Sequence, residues 1–126
     1  MESETRSFTA LPCNDFVEIL ASKAAVPGGG GASALVGSIG VALGHMVGSL
    51  TLGKKKYAAV EESIQRCQQQ ANALAKRLLD LMDEDARAFE PLSKAYGLPH
   101  ATPEETARKA QVMEQALLTA CGAPME

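Results

Sequence analysis

The sequence predicts an all-α fold, an antiparallel helical bundle built as one domain over residues 1–126. Composition is the first observation. Alanine fills 21 positions and leucine 14, against ten for valine and isoleucine together and five aromatics with no tryptophan. Alanine and leucine lose little on entering a helix, whereas strands draw on β-branched and aromatic side chains, so the balance argues against an all-β sandwich. The second observation is an apolar stripe that steps by four and three residues from Val60 to Leu92. The third is a stretch from Ala32 to Leu52 whose only titratable side chain is His45, long enough for one central Gly/Ala-rich helix.

The same numbers exclude several functions. Apolar residues at 46% and charged residues at 21% describe a folding chain, not a disordered tail. A net charge of -3 argues against a nucleic-acid partner, which calls for a positive excess. The opening MESETRSFTA has neither a basic nor an apolar region of the kind a secretory signal carries. Cys13, Cys67 and Cys121 stand alone, which suits neither a disulfide framework nor a metal site, and a reducing cytoplasmic setting follows.

Taken in order, the first helix is expected to start at Asn14 as N-cap, to bury Phe16, Ile19 and Leu20, and to fade after Lys23. Pro27 and the run Gly28–Gly31 cannot form an ordinary helix interior and predict a closely approached backbone. The run lacks the Gly-Lys-Ser/Thr ending of a Walker A loop and follows no strand. A ligand on bare backbone and a purely structural turn both fit it. From Ala32 to Leu52 the length alone could span a bilayer. Gly37, Gly40, Gly44 and Gly48 form one small-residue face there, which makes sense if another backbone packs on it. Gly53 stops the helix, and Lys54–Lys56 complement its dipole.

A long helix is expected from about Lys56 to Tyr96. Its stripe runs Val60, Ile64, Cys67, Ala71, Leu74, Leu78, Leu81, position 85, Ala88 and Leu92, with a kink or break at Pro91. Thr102-Pro103-Glu104-Glu105 is a capping box that opens a last helix with Ala110, Met113, Leu117 and Ala120 inward.

Position 85 of the stripe is Asp85, within Asp83-Glu84-Asp85-Ala86-Arg87-Ala88-Phe89. A carboxylate on an apolar seam is costly unless it is paired or does chemistry. One reading is a structural pair with Arg87 or a lysine; the other is a general acid/base, or an anion set against a cationic substrate. Lys54, Lys55 and Lys56 read either as a solvated helix end or as a site for carboxylates. His45 suits a satisfied core histidine, and His100 an exposed turn. Tyr57 and Phe89 fit core packing or stacking on a flat ring.

Several segments then take on a joint meaning: Ala24-Ala25-Val26-Pro27-Gly28-Gly29-Gly30-Gly31-Ala32-Ser33-Ala34-Leu35, Met46-Val47, Leu50-Thr51 and Gly53-Lys54-Lys55-Lys56-Tyr57. With the acidic motif at 83–89, Tyr96-Gly97-Leu98-Pro99 and the Thr102 cap, the sequence resembles the cyclodeaminase/cyclohydrolase family of tetrahydrofolate enzymes. The similarity runs over nearly the whole chain, in order and at matching spacings. It implies a soluble, cytoplasmic, all-helical domain that forms a homodimer, uses no prosthetic group and no metal, and takes a tetrahydrofolate derivative as substrate. It also implies one of two reactions, closure of 5-formimino-tetrahydrofolate to the 5,10-methenyl compound with loss of ammonia, or interconversion of the methenyl and 10-formyl compounds with water.

The family's catalytic aspartate corresponds to Asp85, which can give a proton to a departing amine or stabilise the amidinium-like one-carbon unit. Gly28, Gly29, Gly30 and Ser33 are implied at the substrate, with Lys54, Lys55 and Lys56 on its glutamate carboxylates and Tyr57 and Phe89 beside it. Two departures stand out. His100 occupies a place where the family often has lysine. Family members also continue into further helices with Gly-Asn and Ser-Asp segments, so this chain is expected to be incomplete at its C-terminus. A non-catalytic folate-binding or assembly module is the alternative outcome.

Overall fold

The computed structural model describes residues 7–126; residues 1–6, part of the stretch read as lacking a secretory signal, lie outside the described residues. The fold is all-α, as predicted. A 3-10 turn at Phe8–Ala10 leads into α1 (Cys13–Leu20), α2 (Gly29–Thr51), a second 3-10 turn (Lys55–Val60), α3 (Glu61–Tyr96), α4 (Pro103–Ala120) and the single turn α5 (Gly122–Met125). The chain divides into two compact units, one comprising residues up to Ala32 with Leu81–Glu126 and the other Ser33–Asp80.

In the first unit, the N-cap of α1 lies two residues before the expected Asn14. Pro12 is the N-cap, in extended backbone, and its carbonyl accepts from the Phe16 N–H at 3.0 Å. Proline has no N–H to give the helix but keeps its acceptor, so the flanking position suits it. α1 also ends at Leu20, earlier than Lys23. Ser22 Oγ donates to the Ile19 carbonyl at 2.6 Å and accepts from the Ala24 N–H at 3.1 Å, drawing the chain into a turn. Phe16 is buried as expected; Ile19 is half-buried and Leu20 is 37% exposed.

The core of this unit forms where the C-terminal part of α3 meets α4. Leu92, Ala95 and Ala116 are buried there, flanked by Phe89, Leu98, Met113 and Ala120. The inward line of α4 is therefore Met113, Ala116 and Ala120, with Leu117 45% exposed and Ala110 exposed, a shift from the expected set. Small Ala95 opposite small Ala116 lets the two helices approach closely, a choice that a count of large apolar residues overlooks. Pro91 does not break α3, which continues to Tyr96. The carbonyl that Pro91 leaves without a donor belongs to exposed Arg87, where water can satisfy it.

α3 and α4 are joined by a tightly satisfied turn. Lys109 Nζ donates to the carbonyls of Tyr96 and Leu98 at 2.9 and 3.1 Å, capping the end of α3. The expected capping box is present: Thr102 Oγ1 accepts from the Glu105 N–H at 3.1 Å, and Glu105 Oε2 accepts from the Thr102 N–H at 3.2 Å. Thr102→Ala is expected to cost about 1 kcal/mol, measured as a shift in the denaturant midpoint. On the solvent side, the Lys94 hydrogen bond and charge hold the Glu90 carboxyl below the ordinary carboxylate value.

In the second unit, α2 lies along the first part of α3. Ser38 is buried, and its Oγ donates to the Ala75 carbonyl at 3.0 Å. Gln68 Nε2 donates to the His45 carbonyl at 3.1 Å and to Ser49 Oγ at 2.8 Å. The glycine face meets side chains instead of the expected backbone. A Cβ at Gly48 would lie 3.0 Å from Gln68 Cγ and one at Gly37 3.4 Å from Leu78 Cδ1, while Gly40 and Gly44 face open space.

Gly53 turns the chain with φ +79, as predicted. The long helix then begins at Glu61 and not at Lys56. Lys54 is extended, and its carbonyl takes the Tyr57 N–H at 3.0 Å, so the next residues wind as a 3-10 turn. Glu61 and Glu62 then fall in the first α-helical turn, where the dipole favours acids.

The heptad stripe continues to have helical period, yet Val60, Cys67 and Leu74 are exposed and only Leu81 and Leu92 on it are buried. α2 shows the same: Val36, Ile39, Leu43, Met46 and Leu50 form a stripe 50–68% exposed. α2 is also long and apolar enough to cross a membrane.

Candidate functional site

The acidic motif sits in the first unit, on the turn of α3 that follows Leu81 and Met82. These two side chains are buried, Met82 to 1% exposure, and they fix the rotation of the helix at this point. The next three residues are acids, and the helix sends them in different directions.

Asp83 is the structural member. Its Oδ1 accepts from the Phe8 N–H at 2.8 Å, and its Oδ2 accepts from Ser7 Oγ at 2.7 Å and Thr9 Oγ1 at 3.3 Å. One carboxylate thus ties the N-terminal 3-10 turn to α3. Nothing in the spacing of the motif marked this role. The available signal was the Ser-Phe-Thr sequence, whose two hydroxyls lie two residues apart.

Asp85 points elsewhere. It is half-buried, and among the described residues it has no hydrogen bond or ion pair. The expected alternative of a structural pair with Arg87 or a lysine therefore has no partner among those residues. Its carboxylate stands directly on the backbone of the glycine run: a Cβ at Gly30 would lie 2.9 Å from Oδ2, 3.0 Å from Oδ1 and 3.1 Å from Cγ. Gly31 closes on the preceding turn, where its Cβ would meet Met82 Cγ at 3.5 Å and Pro27 Cβ at 3.8 Å. Gly28 and Gly29 have nothing within 4 Å.

The glycine run is the entry to α2. The Val26–Pro27 peptide bond is cis, and the first helical bond runs from the Ala32 N–H to the Gly28 carbonyl at 3.0 Å. The N–H groups of Gly29, Gly30 and Gly31 precede it and have no acceptor within the helix. A carboxylate set against such a first turn is the charge arrangement the helix dipole favours. Close approach of backbone was expected here from the glycines; what approaches at Gly30 is the side chain of Asp85.

A cavity of about 320 Å³ opens on a different face of α3, lined by Phe8, Val26, Asp83, Arg87, Phe89 and Glu90. Phe89 serves it as a wall while also packing on the Leu92–Ala95–Ala116 cluster, which is its core reading. Asp85 is not part of the lining. Asp85 thus stands outside this cavity and without a structural partner among the described residues, against the first turn of α2.

The remaining sequence-derived residues belong to the second unit. Ser33 is exposed at its start. Lys54, Lys55 and Lys56 are exposed, and Lys56 Nζ lies 5.5 Å from the centroid of the Tyr57 ring, engaging it as a cation–π pair. His45 is half-buried with Nδ1 3.4 Å from Ser49 Oγ; His100, back in the first unit, is exposed. A groove of about 530 Å³ between α2 and α3 is lined by Val41, Gly44, Val47, Ile64, Cys67 and Leu74 among others. Among the described residues no group of three His, Cys, Asp or Glu is placed to hold a metal ion.

Residues 12–126 match the family described as formiminotransferase-cyclodeaminase. The chain is 43% identical over 110 residues to a methenyltetrahydrofolate cyclohydrolase of Methylorubrum extorquens, a match covering 87% of this chain and 53% of that protein. It is 35% identical over 120 residues to the formimidoyltransferase-cyclodeaminase of Sus scrofa, covering 95% of this chain and 22% of the relative. Among solved structures, a formiminotetrahydrofolate cyclodeaminase from Thermotoga maritima is similar with a TM-score of 0.75 and 31% identity, over 93% of this chain and 54% of that one. The chain thus spans about half the length of the cyclohydrolase and of the solved cyclodeaminase.

Proposed function

The chain belongs to the formiminotransferase-cyclodeaminase family, and from that premise we propose that it carries the reacting carboxylate of a folate one-carbon enzyme, with Asp85 acting on 5,10-methenyl-tetrahydrofolate. The observation that supports this most is the Asp85 carboxylate, half-buried, without a partner among the described residues, and held against the first turn of α2. The cyclohydrolase relative at 43% identity favours water as the reactant.

In that reaction the methenyl carbon carries positive charge shared between its two nitrogens, and an adjacent carboxylate lowers the energy of that cation. As water attacks the carbon, Asp85 accepts one of its protons. The same proton then goes to N5 as the bond from N5 to carbon breaks, and the remaining hydroxyl proton is released to water, leaving the formyl C=O of the 10-formyl compound. Cyclodeamination of a 5-formimino substrate uses the same atoms differently: N10 attacks the formimino carbon and gives up its proton, and Asp85 passes a proton to the amino group, which leaves as ammonia.

Lys54, Lys55 and Lys56, in the second unit, are read as a cluster suited to carboxylates such as those of a folate glutamate tail, supported by their exposure and adjacency. Tyr57, already under the Lys56 ammonium in that unit, and Phe89, in the first unit, are each read as a surface for a flat ring. A cytoplasmic homodimer without a prosthetic group belongs to the same reading, and the exposed stripe on α2 supports a protein-covered face. The polar bonds that Ser38, Ser49 and Gln68 make along α2 favour packing against protein over lipid.

The reading is tested by mixing the chain with 5,10-methenyl-tetrahydrofolate and following the methenyl absorbance. Decay faster than in buffer, lost on Asp85→Asn, is the expected result. Decay at the uncatalysed rate overturns it.

A further inference from the structure

We propose that Gly30 is a positioning residue for Asp85: the absence of a side chain at position 30 is what allows the carboxylate to stand against the first turn of α2. The proposal rests on the reading of Asp85 as the reacting group and adds a second residue on which its geometry depends.

Among the described residues Gly53 is the one glycine with positive φ, so Gly30 adopts a conformation open to any residue. It lies in the first turn of a helix, where glycine is less stable than alanine by roughly 0.5–1 kcal/mol. Backbone conformation therefore gives no reason for glycine at this position. Gly30 is also exposed, so burial does not explain it.

The surroundings do explain it. The three heavy atoms nearest to a Cβ at position 30 are all from Asp85, at 2.9, 3.0 and 3.1 Å. Carbon and carboxylate oxygen do not rest at 2.9 Å, so one of them must move. The Asp85 carboxylate is the end of a two-torsion side chain, whereas Gly30 is fixed in a helix. An alanine at 30 displaces the carboxylate and leaves both helices in place.

Its neighbours behave differently. Gly29 faces open space, and Gly31 meets Met82 and Pro27 at ordinary contact distance. Only at position 30 of this run does glycine make room for a charged group. A displacement of the order of 1 Å at a reacting group costs up to about 10²-fold in rate.

The experiment compares Gly30→Ala, Asp85→Asn, their combination, and Gly122→Ala, a control whose Cβ would meet nothing within 4 Å. Turnover is read as kcat and KM, and the Asp85 Cγ chemical shift is read in ligand-free protein with 13C-labelled aspartate. For Gly30→Ala the expected result is a kcat lower by about ten- to a hundredfold, an unchanged KM and a displaced Cγ signal. Gly122→Ala should match wild type, and Gly30→Ala should cause no further loss in the Asp85→Asn background.

An unmoved Cγ signal in Gly30→Ala overturns the proposal, and so does an unchanged kcat where Asp85→Asn abolishes turnover. If the wild-type chain does not turn over, or Asp85→Asn turns over like wild type, the functional reading itself falls and this role falls with it. Should Gly30→Ala fail to fold, the double variant Gly30→Ala/Asp85→Ala, which removes the opposing carboxylate, must fold again. Its failure to do so overturns the proposal.

Discussion

Asp85→Asn is expected to lower turnover of 5,10-methenyl-tetrahydrofolate by about 10²- to 10⁴-fold while the far-ultraviolet helical signal stays at its wild-type level. The two side chains have the same shape, and no hydrogen bond or ion pair holds Asp85 among the described residues, so little structural energy is at stake. What changes is chemistry. An amide neither accepts the proton of an attacking water nor offsets the charge of the amidinium carbon. The measurement is the initial rate of methenyl absorbance decay beside a circular dichroism spectrum of the same sample. A variant that keeps both rate and helicity removes Asp85 from the chemistry; one that loses both shows a structural role instead.

Met82→Ala is the substitution expected to cost most in stability, about 2–5 kcal/mol in a denaturant titration. Among the described residues Met82 is the largest side chain that is almost wholly buried, at 1% exposure, and its Cγ lies against the Gly31 backbone. Truncation leaves a cavity between the turn that carries the acids and the glycine run. Because Gly31 has no side chain to move into it, the site can close only by a backbone shift. Part of the turnover should be lost with the stability, since the same shift moves Gly30 relative to Asp85. A loss below 1 kcal/mol would mean that the glycine run collapses freely onto α3.

Much of the fold was legible from the sequence because helices announce themselves through local features. The Thr102 cap, the Gly53 stop and the all-α class depend on neighbours a few residues apart, and each appears where the sequence put it. The heptad count also picked out Asp85 before any geometry was known. It misplaced burial, however, because period tells which residues share a face and not whether another element covers that face. Leu74 and Leu92 occupy equivalent positions of the stripe, yet Leu74 is 55% exposed and Leu92 4%. The Asp83 clamp and the Gly30–Asp85 contact were illegible for a related reason. Each joins residues more than fifty positions apart, and no local pattern encodes such a pairing.

The glycines of α2 have one more consequence, for anyone wishing to redesign the chain. They divide the helix into positions where alanine displaces a neighbouring side chain and positions where it is free. At Gly48 a methyl group would press on Gln68, and at Gly30 on Asp85, but at Gly40 and Gly44 it would enter empty space. Gly40→Ala and Gly44→Ala are thus candidates for thermostabilisation, each expected to add up to about 1 kcal/mol by restricting the unfolded chain and improving helix propensity. A melting curve of the double variant measures the gain. Held in a form made more rigid there, the chain would offer a better scaffold on which to vary the acids of α3 one at a time.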